Sequence, residues 1–309
     1  MTKFSAASIA SQSGRLAIVT GANSGIGYYT ALELARAGAQ VILACRSDAK
    51  GIAAAAKIQA ALPGALVKFE KLDLGSLTSV HDFAARMKAS YGALDILVNN
   101  AGLMAPPSRQ VTADGFERQL GVNFLGHFAL TSLLLPLLMK APSPRVVQLS
   151  SIAHRQGRIN FDDLQAAKRY SAWSVYNQSK LAMLLFATEL QRRSDAGGWG
   201  ITSVAAHPGV ARTELMANGP GANSLADFGL KLVGPLISHS GADGAWPSLL
   251  AATAPDVTPG GYYGPTGFME LRGPAGVAKP AKQGRDVDVA RRLWEVAEEL
   301  TGQKFTPGP

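Results

Sequence analysis

This chain is organised around the stretch Leu16-Ala-Ile-Val-Thr-Gly-Ala-Asn-Ser-Gly-Ile-Gly27. The apolar run at 16–19 is typical of a strand that is buried on both faces. Three glycines follow it in the pattern Gly-x-x-x-Gly-x-Gly, and residues 28–37 then have a helical pattern. Glycines let the backbone approach a phosphate closely, and a helix N-terminus presents free N–H groups to an anion. The stretch therefore predicts a nucleotide-binding turn, with an ordinary structural turn as the alternative.

The composition predicts a globular protein with a large core. The 309 residues are 47% hydrophobic and 17% charged, and the formal net charge is +8. The basic residues are scattered and are not interleaved with aromatic ones, so nucleic acid is the weaker interpretation of the charge. The densest basic group is Lys279, Lys282 and Arg285. Cys45 is the only cysteine, which excludes an intrachain disulfide and is typical of a reducing compartment.

Two further features bear on location and on metals. The first 14 residues are small and polar and lack the apolar centre of a signal peptide. The most apolar helix, around 129–139, contains Pro136 and is too short to span a bilayer. We therefore expect a cytoplasmic protein with no membrane partner. The histidines, including His127, His154 and His207, show no metal-ligand spacing and are interpreted as packing or loop residues, so no metal is predicted.

Strand and helix patterns alternate along the chain without a break in composition. The strand patterns lie at 16–19, 40–44, 67–72, 94–98, 145–149 and 201–206, and the helical patterns at 28–37, 48–61, 76–91, 114–140, 174–194 and 287–300. This alternation predicts an α/β fold with one doubly wound parallel sheet of the Rossmann type and helices on both faces. After a tail at 1–14, we expect a single NAD(P)-binding catalytic domain at 15–309, with Pro136 kinking the fourth helix.

One segment, at about 212–240, does not fit the alternation. It is apolar and rich in glycine, with Leu215, Met216, Phe228 and Leu232 among its large side chains. It is interpreted either as a satellite of the core or as a substrate loop that covers an apolar ligand at the carboxyl edge of the sheet.

Tyr176 and Lys180 are four residues apart in a helical pattern, so they share one face of a helix. A phenol has a pKa of about 10, and a nearby ammonium group stabilises the phenolate. A lone Tyr-x-x-x-Lys pair is common, and a surface pair is the alternative. However, Ser150-Ser151 ends the strand that precedes this helix, and Asn123 lies in the helix after the fourth strand. This context favours a proton-transfer site.

These motifs together resemble the short-chain dehydrogenase/reductase family, in the family's order, over about residues 15–300. The matching residues are Thr20-Gly-Ala-Asn-Ser-Gly-Ile-Gly27, Asp73-Leu74, Asn99-Asn-Ala-Gly102, Asn123, Ser151, Tyr176-x-x-x-Lys180, and Pro208-Gly209 with Thr213. Three further stretches are similar to the retinol-dehydrogenase-like branch: Ala44-Cys-Arg46, Gly121-Val-Asn-Phe-Leu-Gly-His-Phe128 and Leu293-Trp-Glu-Val-Ala-Glu-Glu-Leu-Thr-Gly302. Membrane members of that branch carry an N-terminal hydrophobic anchor, which we do not expect here.

The resemblance implies a role for each catalytic residue. Tyr176 would exchange a proton with the substrate oxygen, and Ser151 would hold that oxygen by a hydrogen bond. Lys180 would lower the pKa of Tyr176 and bind the nicotinamide ribose, and Asn123 would hold a water that links Lys180 to solvent. Spacing alone leaves Ser150 open as the catalytic serine, whereas alignment with the family favours Ser151.

The resemblance also implies a set of cofactor-binding residues. They are Gly21, Asn23, Ser24, Gly25, Ile26, Gly27, Arg46, Asp73, Leu74, Asn100, Ala101, Gly102, Tyr176, Lys180, Pro208, Gly209, Val210 and Thr213. Enzymes that use NAD place a carboxylate at the end of the second strand, but here that position is Cys45 and Arg46 follows it. A guanidinium favours the 2′-phosphate of NADP(H) over NAD(H). The alternatives are that Arg46 is a solvated charge and that Asp48 caps the next helix.

We therefore expect an NADP(H)-dependent oxidoreductase that interconverts a carbonyl and an alcohol on a fairly apolar small molecule. A carbonyl reductase or an alcohol dehydrogenase fits this description. The alternative is a catalytically silent dinucleotide-binding scaffold or sensor, but such proteins usually lose the Tyr or the Lys, and both are present here. A homo-oligomer is compatible with these features.

Overall fold

The computed structural model describes residues 4–210 and 240–306. Its strands are β1 Leu16–Thr20, β2 Gln40–Cys45, β3 Val67–Lys71, β4 Ile96–Asn99, β5 Arg145–Leu149, β6 Thr202–Ala206, β7 Tyr262–Pro265 and β8 Ala275–Val277. They form one sheet in the order β3-β2-β1-β4-β5-β6-β7-β8. Neighbouring strands pair in parallel, except that β8 pairs antiparallel to β7. The predicted doubly wound α/β sheet of the Rossmann type is confirmed.

The sheet is covered by helices that follow its strands. They are α1 Gly25–Arg36, α2 Asp48–Ala61, α3 Leu77–Ser90, α4 Arg118–Leu138, α5 Ala172–Gly197, α6 Gly241–Thr253 and α7 Val287–Thr301. Sequence analysis missed α6, β7 and β8, because α6 contains Pro247 and the two strands have four and three residues. Of the predicted substrate loop at 212–240, only Ser240 belongs to the described residues, and it is the N-cap of α6.

The core lies on both faces of the sheet because side chains alternate along each strand. Ala17 and Val19 of β1 pack in a cluster with residues of α1, α2 and α6. Leu16 and Ile18 pack on the other face with residues of α3, α4, α5 and α7. All five residues of β1 are buried, which is why its sequence is a continuous apolar run rather than an alternating one.

The strand order places the site. The order reverses between β1 and β4, because the chain moves outward from β1 to β3 and then returns to start the second half at β4. In doubly wound sheets, a crevice opens at this switch point outside the carboxyl ends of the strands. The glycine turn follows β1 at this edge, and Asn100-Ala-Gly102 follows β4. The two segments are therefore brought together at the crevice.

Helix α4 departs from the prediction in its geometry. It begins with α-helical Arg118–Leu120, continues through one π turn at Gly121–Leu125, and is α-helical again at Gly126–Leu138. The helix runs through Pro136, so the described irregularity lies at the π turn, which contains Asn123. Single π turns inside α-helices are frequent at functional sites.

The apolar part of α4 is longer than sequence analysis predicted. Arg118–Leu138 has 21 residues and is the one helix among the described residues that is long and apolar enough to cross a membrane. The expectation that this region is too short was wrong, because the helix begins well before residue 129. Within the fold, however, 83% of its most apolar window is buried, as in the core helix of a globular protein.

Candidate active site

The glycine turn has a backbone that other residues would not adopt easily. Gly21 and Gly25 have φ angles of +65° and +56°, in the left-handed region that favours glycine. A Cβ on Gly27 would lie 2.6 Å from the carbonyl oxygen of Gly21, so the turn is too tight for a side chain there. Ser24 is the N-cap of α1, but its side chain accepts no hydrogen bond from the first turn. The N–H groups at this helix end are thus not capped by Ser24 and suit a phosphate.

The loop after β4 is bonded directly to the glycine turn. The backbone N–H groups of Asn100 and Ala101 each donate to Thr20 Oγ1 at 2.9 Å, and Asn100 Nδ2 donates to the carbonyl oxygen of Thr20 at 2.7 Å. Asn100 was predicted to bind the cofactor, and it does line the cleft. Its side-chain amide, however, is engaged in holding the turn.

His127 also contacts Thr20, the residue to which the loop after β4 is bonded. Its Nδ1 lies 2.9 Å from the carbonyl oxygen of Asn123, and its Nε2 lies 2.9 Å from Thr20 Oγ1. Complete burial lowers the pKa of His127 to about 3, so the imidazole is neutral. Because a carbonyl only accepts, Nδ1 carries the proton and Nε2 accepts from the Thr20 hydroxyl. Sequence analysis interpreted His127 as a packing residue; the available signal was its position four residues after Asn123, on the same helix face.

A cleft of about 910 Å³ opens at the carboxyl edge of the sheet, between the glycine turn and α5. It brings together all the predicted site residues except two. Those that line it are Gly21, Asn23, Ser24, Gly25, Ile26, Gly27, Arg46, Asp73, Leu74, Asn100, Ala101, Gly102, Ser151, Tyr176, Lys180, Pro208, Gly209 and Val210. Asn123 lies outside the lining, and Thr213 lies outside the described residues.

Tyr176 and Ser151 both line this cleft, and an interaction with the Ser151 side chain opposes the rise that burial causes in the pKa of the Tyr176 phenol. Ser151 is the N-cap of the 3₁₀ turn Ile152–Gln156, where its Oγ accepts from the N–H of Ala153 at 3.2 Å. Ser150 is buried, and its hydroxyl donates to the carbonyl oxygen of Lys180 at 2.7 Å. Of the two serines that sequence spacing left open, Ser151 is therefore the one that interacts with the phenol, while the Ser150 hydroxyl is bonded to the backbone.

Burial governs the protonation of Tyr176 and Lys180. It raises the pKa of the Tyr176 phenol to about 12, against the opposing effect of Ser151. It lowers the pKa of Lys180 to about 8. Lys180 Nζ donates to the carbonyl oxygen of Leu149 at 3.0 Å and lies 5.9 Å from the centre of the Tyr176 ring. The expectation that Lys180 brings the pKa of Tyr176 below its ordinary value is corrected here, because desolvation of the phenolate dominates.

Asn123 lies behind the wall of the cleft, fully buried in the π turn of α4. Its Oδ1 accepts from the N–H of Leu103 at 2.9 Å, and its Nδ2 donates to the carbonyl oxygen of Leu103 and to Ser179 Oγ. A Cβ on Gly102 would lie 3.2 Å from Asn123 Oδ1 and 3.4 Å from Lys180 Nζ, so both side chains pack against Gly102. The predicted role of Asn123 in holding a water stays a prediction.

His154 holds the turn that carries Ser151. Its Nε2 accepts from the N–H of Ala281 at 3.1 Å, so Nδ1 carries the proton and donates to the carbonyl oxygen of Ser151 at 2.6 Å. Burial lowers the pKa of His154 to about 4 and keeps it neutral. Sequence analysis did not find this role, because Ala281 is distant in the chain. In the described parts of the chain, no group of three or more His, Cys, Asp or Glu residues is placed to hold a metal ion.

The end of β2 presents a cation and a neutral thiol. Cys45 is buried, and burial raises the pKa of its thiol to about 11, against the opposing effect of the backbone N–H groups of Ala22 and Asn23. Arg46 is exposed and lines the cleft.

The cap of α2 is Ser47, whose Oγ accepts from the N–H of Lys50. Asp48 instead forms an ion pair with Lys71 at 3.2 Å. Asp48 is therefore not the helix cap that sequence analysis considered.

Apolar side chains contribute to the lining of the cleft. Trp173 is half-exposed and meets the Tyr176 ring edge-on, with 6.0 Å between ring centres. Other apolar lining residues are Leu103, Met104, Pro106, Pro107, Val122, Ile152 and Ala153, and polar ones include Gln110, Arg118, Gln156 and Asn177.

The chain is similar to several known proteins over nearly its whole length. Retinol dehydrogenase 12 of Mus musculus is 43% identical over 94% of this chain and 87% of the relative. Retinol dehydrogenase 13 of Homo sapiens is 45% identical over 94% of this chain and 85% of the relative. Polyprenol dehydrogenase of Mus musculus is 43% identical over 94% of this chain and 85% of the relative.

Two solved structures extend the comparison. An uncharacterized protein from Mycobacterium paratuberculosis superposes with a TM-score of 0.81 at 41% identity, over 99% of this chain and 100% of that one. A short chain dehydrogenase from Escherichia coli CFT073, complexed with NADPH, has a TM-score of 0.62 at 27% identity, over 78% and 91%. The family described as short chain dehydrogenase matches residues 15–220. The chain therefore belongs to the short chain dehydrogenase family.

Proposed function

We propose that this protein is an NADP(H)-dependent oxidoreductase that interconverts a carbonyl and an alcohol on an apolar small molecule. The observation that carries the proposal is that Tyr176 and Ser151 line the same cleft as the glycine turn and Lys180. A proton donor beside a nucleotide-binding turn suits hydride transfer coupled to proton transfer. A silent scaffold would not need this pair of hydroxyls.

The side chains divide the chemistry between them. A bound nicotinamide supplies or accepts the hydride. Ser151 and Tyr176 bind the substrate oxygen, and in reduction the phenol of Tyr176 donates its proton to that oxygen. Because burial raises the pKa of Tyr176 to about 12, the phenol is protonated at neutral pH, which is the form that reduction needs. Lys180, anchored on the carbonyl of Leu149, is placed to bind the ribose.

Several features of the cleft support a dinucleotide cofactor with a 2′-phosphate. The positive φ angles of Gly21 and Gly25 and the start of α1 form a cradle that suits a pyrophosphate. At the end of β2, the neutral Cys45 does not repel a phosphate, and the exposed Arg46 can pair with one. The similarity to a short chain dehydrogenase complexed with NADPH supports the same cofactor.

An apolar substrate is supported by the wall around Tyr176 and by the relatives. Trp173 lies beside the Tyr176 ring, and Ile152, which follows Ser151, and Met104 also line the cleft. The relatives are named for retinol and polyprenol, alcohols with long apolar groups. Each methylene that the wall buries contributes about 0.8 kcal/mol to binding. We infer that catalytic efficiency rises with the apolar size of the substrate.

The experiment is a screen of aldehydes, ketones and secondary alcohols with NADPH, NADH and the oxidised cofactors, followed by nicotinamide absorbance. A homologous ketone series then tests the size dependence, and small polar carbonyls that outperform bulky apolar ones would contradict it. Tight binding of NADPH without turnover of any carbonyl or alcohol would favour the silent scaffold. The cytoplasmic location stays a prediction.

A further inference from the structure

Two loops form the wall of the cleft near Tyr176. One is the 3₁₀ turn Ile152–Gln156 that follows Ser151, and the other is Pro208-Gly209-Val210 after β6. The register of β5 and β6 ends at Leu149 and Ala206, and the N–H of Ser150 adds one more bond to the carbonyl of Ala206 at 2.8 Å. The described ladder between the two strands stops there. The spacing of the loops is therefore set by groups outside the ladder.

The carboxylate of Glu270 connects the two loops. Its Oε2 accepts from Arg155 Nη2 at 2.6 Å and lies 3.2 Å from His207 Nε2. Arg155 belongs to the first loop, and His207 directly precedes the second. Oε1 accepts from the N–H of Lys279 at 3.0 Å, which ties the carboxylate to the segment after β8. One side chain thus joins three segments that are distant in the chain.

The hydrogen-bond pattern assigns the protons around Glu270. The N–H of Gly209 donates to His207 Nδ1 at 3.2 Å, so Nε2 carries the ring proton, and it lies 3.2 Å from the carboxylate, within ion-pair distance. Arg155 also donates from Nη1 to the carbonyl oxygen of Met269 at 3.1 Å. Burial opposes ionisation, but the bonds from His207 and Lys279 and the charge of Arg155 hold the pKa of Glu270 below its usual range. Glu270 is therefore charged at neutral pH.

The backbone around Glu270 is strained and packs against the second loop. Met269 and Glu270 have φ angles of +51° and +61°, although neither is glycine. The N–H of Val210 donates to the carbonyl oxygen of Leu271 at 2.8 Å, and a Cβ on Gly209 would lie 2.9 Å from the carbonyl carbon of Leu271. Such strain persists only where the surroundings determine the conformation, and it is often found at functional sites.

We propose that Glu270 is a positioning residue that sets the distance between the Ser151 turn and the Pro208-Gly209-Val210 loop. This inference rests on the proposed function, in which Ser151 binds the substrate oxygen, and on the prediction that the second loop binds the cofactor. Glu270 is not among the residues that line the cleft, so it acts through Arg155 and His207. Loss of the Glu270 carboxylate would remove none of the reacting side chains, but it would change the distance between the Ser151 turn and the second loop.

The first test follows amide hydrogen exchange in the full chain without cofactor. We expect exchange at 151–157 and at 207–210 to become about tenfold faster in Glu270→Ala, because both loops lose a shared anchor. Glu270→Gln keeps the shape but not the charge and should give an intermediate effect. Glu33→Ala is the matched control, since Glu33 is as exposed as Glu270, pairs with Arg36 at 3.1 Å and does not line the cleft.

The second test separates the two ends of the cofactor. We expect Glu270→Ala to bind 2′,5′-ADP within about twofold of the wild type, because that ligand uses only the glycine turn and Arg46. The fluorescence of bound NADPH, which reports on the nicotinamide, should move towards that of free NADPH. With an apolar ketone, kcat should fall about tenfold, since misplacements of about 1 Å carry costs of this order or larger. Glu270→Gln should recover part of the loss.

The outcomes distinguish this inference from the proposed function. It is overturned if Glu270→Ala leaves exchange in both loops and kcat unchanged, or if only one loop is affected, since Glu270 would then serve a local role. If Glu270→Ala does not fold, Glu270→Gln and Arg155→Lys decide by the same readouts. A wild-type protein without turnover would refute the proposed function, while exchange and NADPH fluorescence would still decide whether Glu270 couples the loops.

Discussion

The two ends of the cleft differ in the groups that form them, since one end consists of backbone and the other of side chains. The cofactor end is a backbone structure in which the φ angles of Gly21 and Gly25 and the start of α1 all lie within one short stretch. The reacting end consists of side chains from separate elements, with Ser151 after β5 and Tyr176 and Lys180 on α5. A phosphate is recognised by N–H groups that every residue except proline carries, whereas proton transfer needs particular side chains in particular surroundings.

The support behind the two ends differs in the same way. The glycine turn is held by Thr20, Asn100 and His127 through hydrogen bonds of 2.7–2.9 Å. The Ser151 turn depends on His154, whose ring nitrogen is bonded to Ala281 near the C-terminus. The cofactor end thus depends on the N-terminal half of the sheet, and the reacting end depends on contacts that close only when the last elements have folded. Substitutions at the cofactor end should consequently affect cofactor affinity, and substitutions at the reacting end should affect turnover.

The largest effect is expected at the reacting end, for Tyr176→Phe. The variant keeps the ring but loses the hydroxyl that donates the proton, so we expect kcat to fall about a hundredfold or more. NADPH binding should change little, because the cofactor end is untouched. Steady-state kinetics and NADPH titration check this, with Tyr91→Phe, at the C-cap of α3, as the control. Turnover near that of the wild type in a folded Tyr176→Phe would refute the assigned chemistry.

At the cofactor end, Gly27→Ala should have the next largest effect. The added Cβ would meet the carbonyl oxygen of Gly21 at 2.6 Å, a backbone atom that cannot move without opening the turn. We expect NADPH affinity to fall at least about tenfold, which corresponds to about 1.4 kcal/mol. Gly92→Ala is the control, since a Cβ on Gly92 would have no other atom within 4 Å. Equal affinities of both variants would mean that the turn tolerates a side chain.

Arg46→Ala should lower the affinity for NADP(H) much more than the affinity for NAD(H). Because only NADP(H) has a 2′-phosphate, we expect its affinity to fall about tenfold, while that for NAD(H) changes less than about twofold. Adding Cys45→Asp should increase the preference for NAD(H) by repelling the phosphate. Calorimetric titration with both cofactors measures this, and Arg36→Ala on α1 controls for the change in net charge. Losses of equal size for both cofactors would show that Arg46 does not recognise the phosphate.

The last expected effect concerns stability at acidic pH rather than turnover or cofactor binding. Burial lowers the pKa of His127 to about 3 and that of His154 to about 4. In the unfolded chain, both histidines bind protons near pH 6.5, whereas the folded protein excludes these protons until the lower values. Acidification from about pH 6.5 towards about pH 4 therefore reduces the free energy of unfolding, by up to about 1.4 kcal/mol per pH unit for each histidine.

Urea denaturation between about pH 7 and about pH 5 measures this dependence. His127→Gln and His154→Gln should each reduce the slope of stability against pH, one from each end of the cleft. His81→Gln, at an exposed position on α3, is the control for the loss of a histidine that is not buried. If neither buried variant changes the slope, these histidines are not the groups that exclude protons.

The sequence by itself determined the features whose residues are near one another in the chain. The glycine turn, the alternation of strands and helices, and the spacing of Tyr176 and Lys180 all follow from local patterns with periods of two or 3.6 residues. The local apolar pattern also predicted β5 at 145–149, which are its bounds in the structure. It missed α6, β7 and β8, because a helix with an internal proline and two strands of four and three residues have weak periodicity.

The tertiary structure alone decided which groups are buried and which distant residues meet. Burial raises the pKa of Tyr176, although its sequence neighbour Lys180 predicted the opposite direction. The contacts of Thr20 with His127, of His154 with Ala281, and of Glu270 with Arg155 and His207 join residues that no local spacing relates. Desolvation and long-range hydrogen bonds depend on the packed interior, and that interior exists only when the whole sheet has formed.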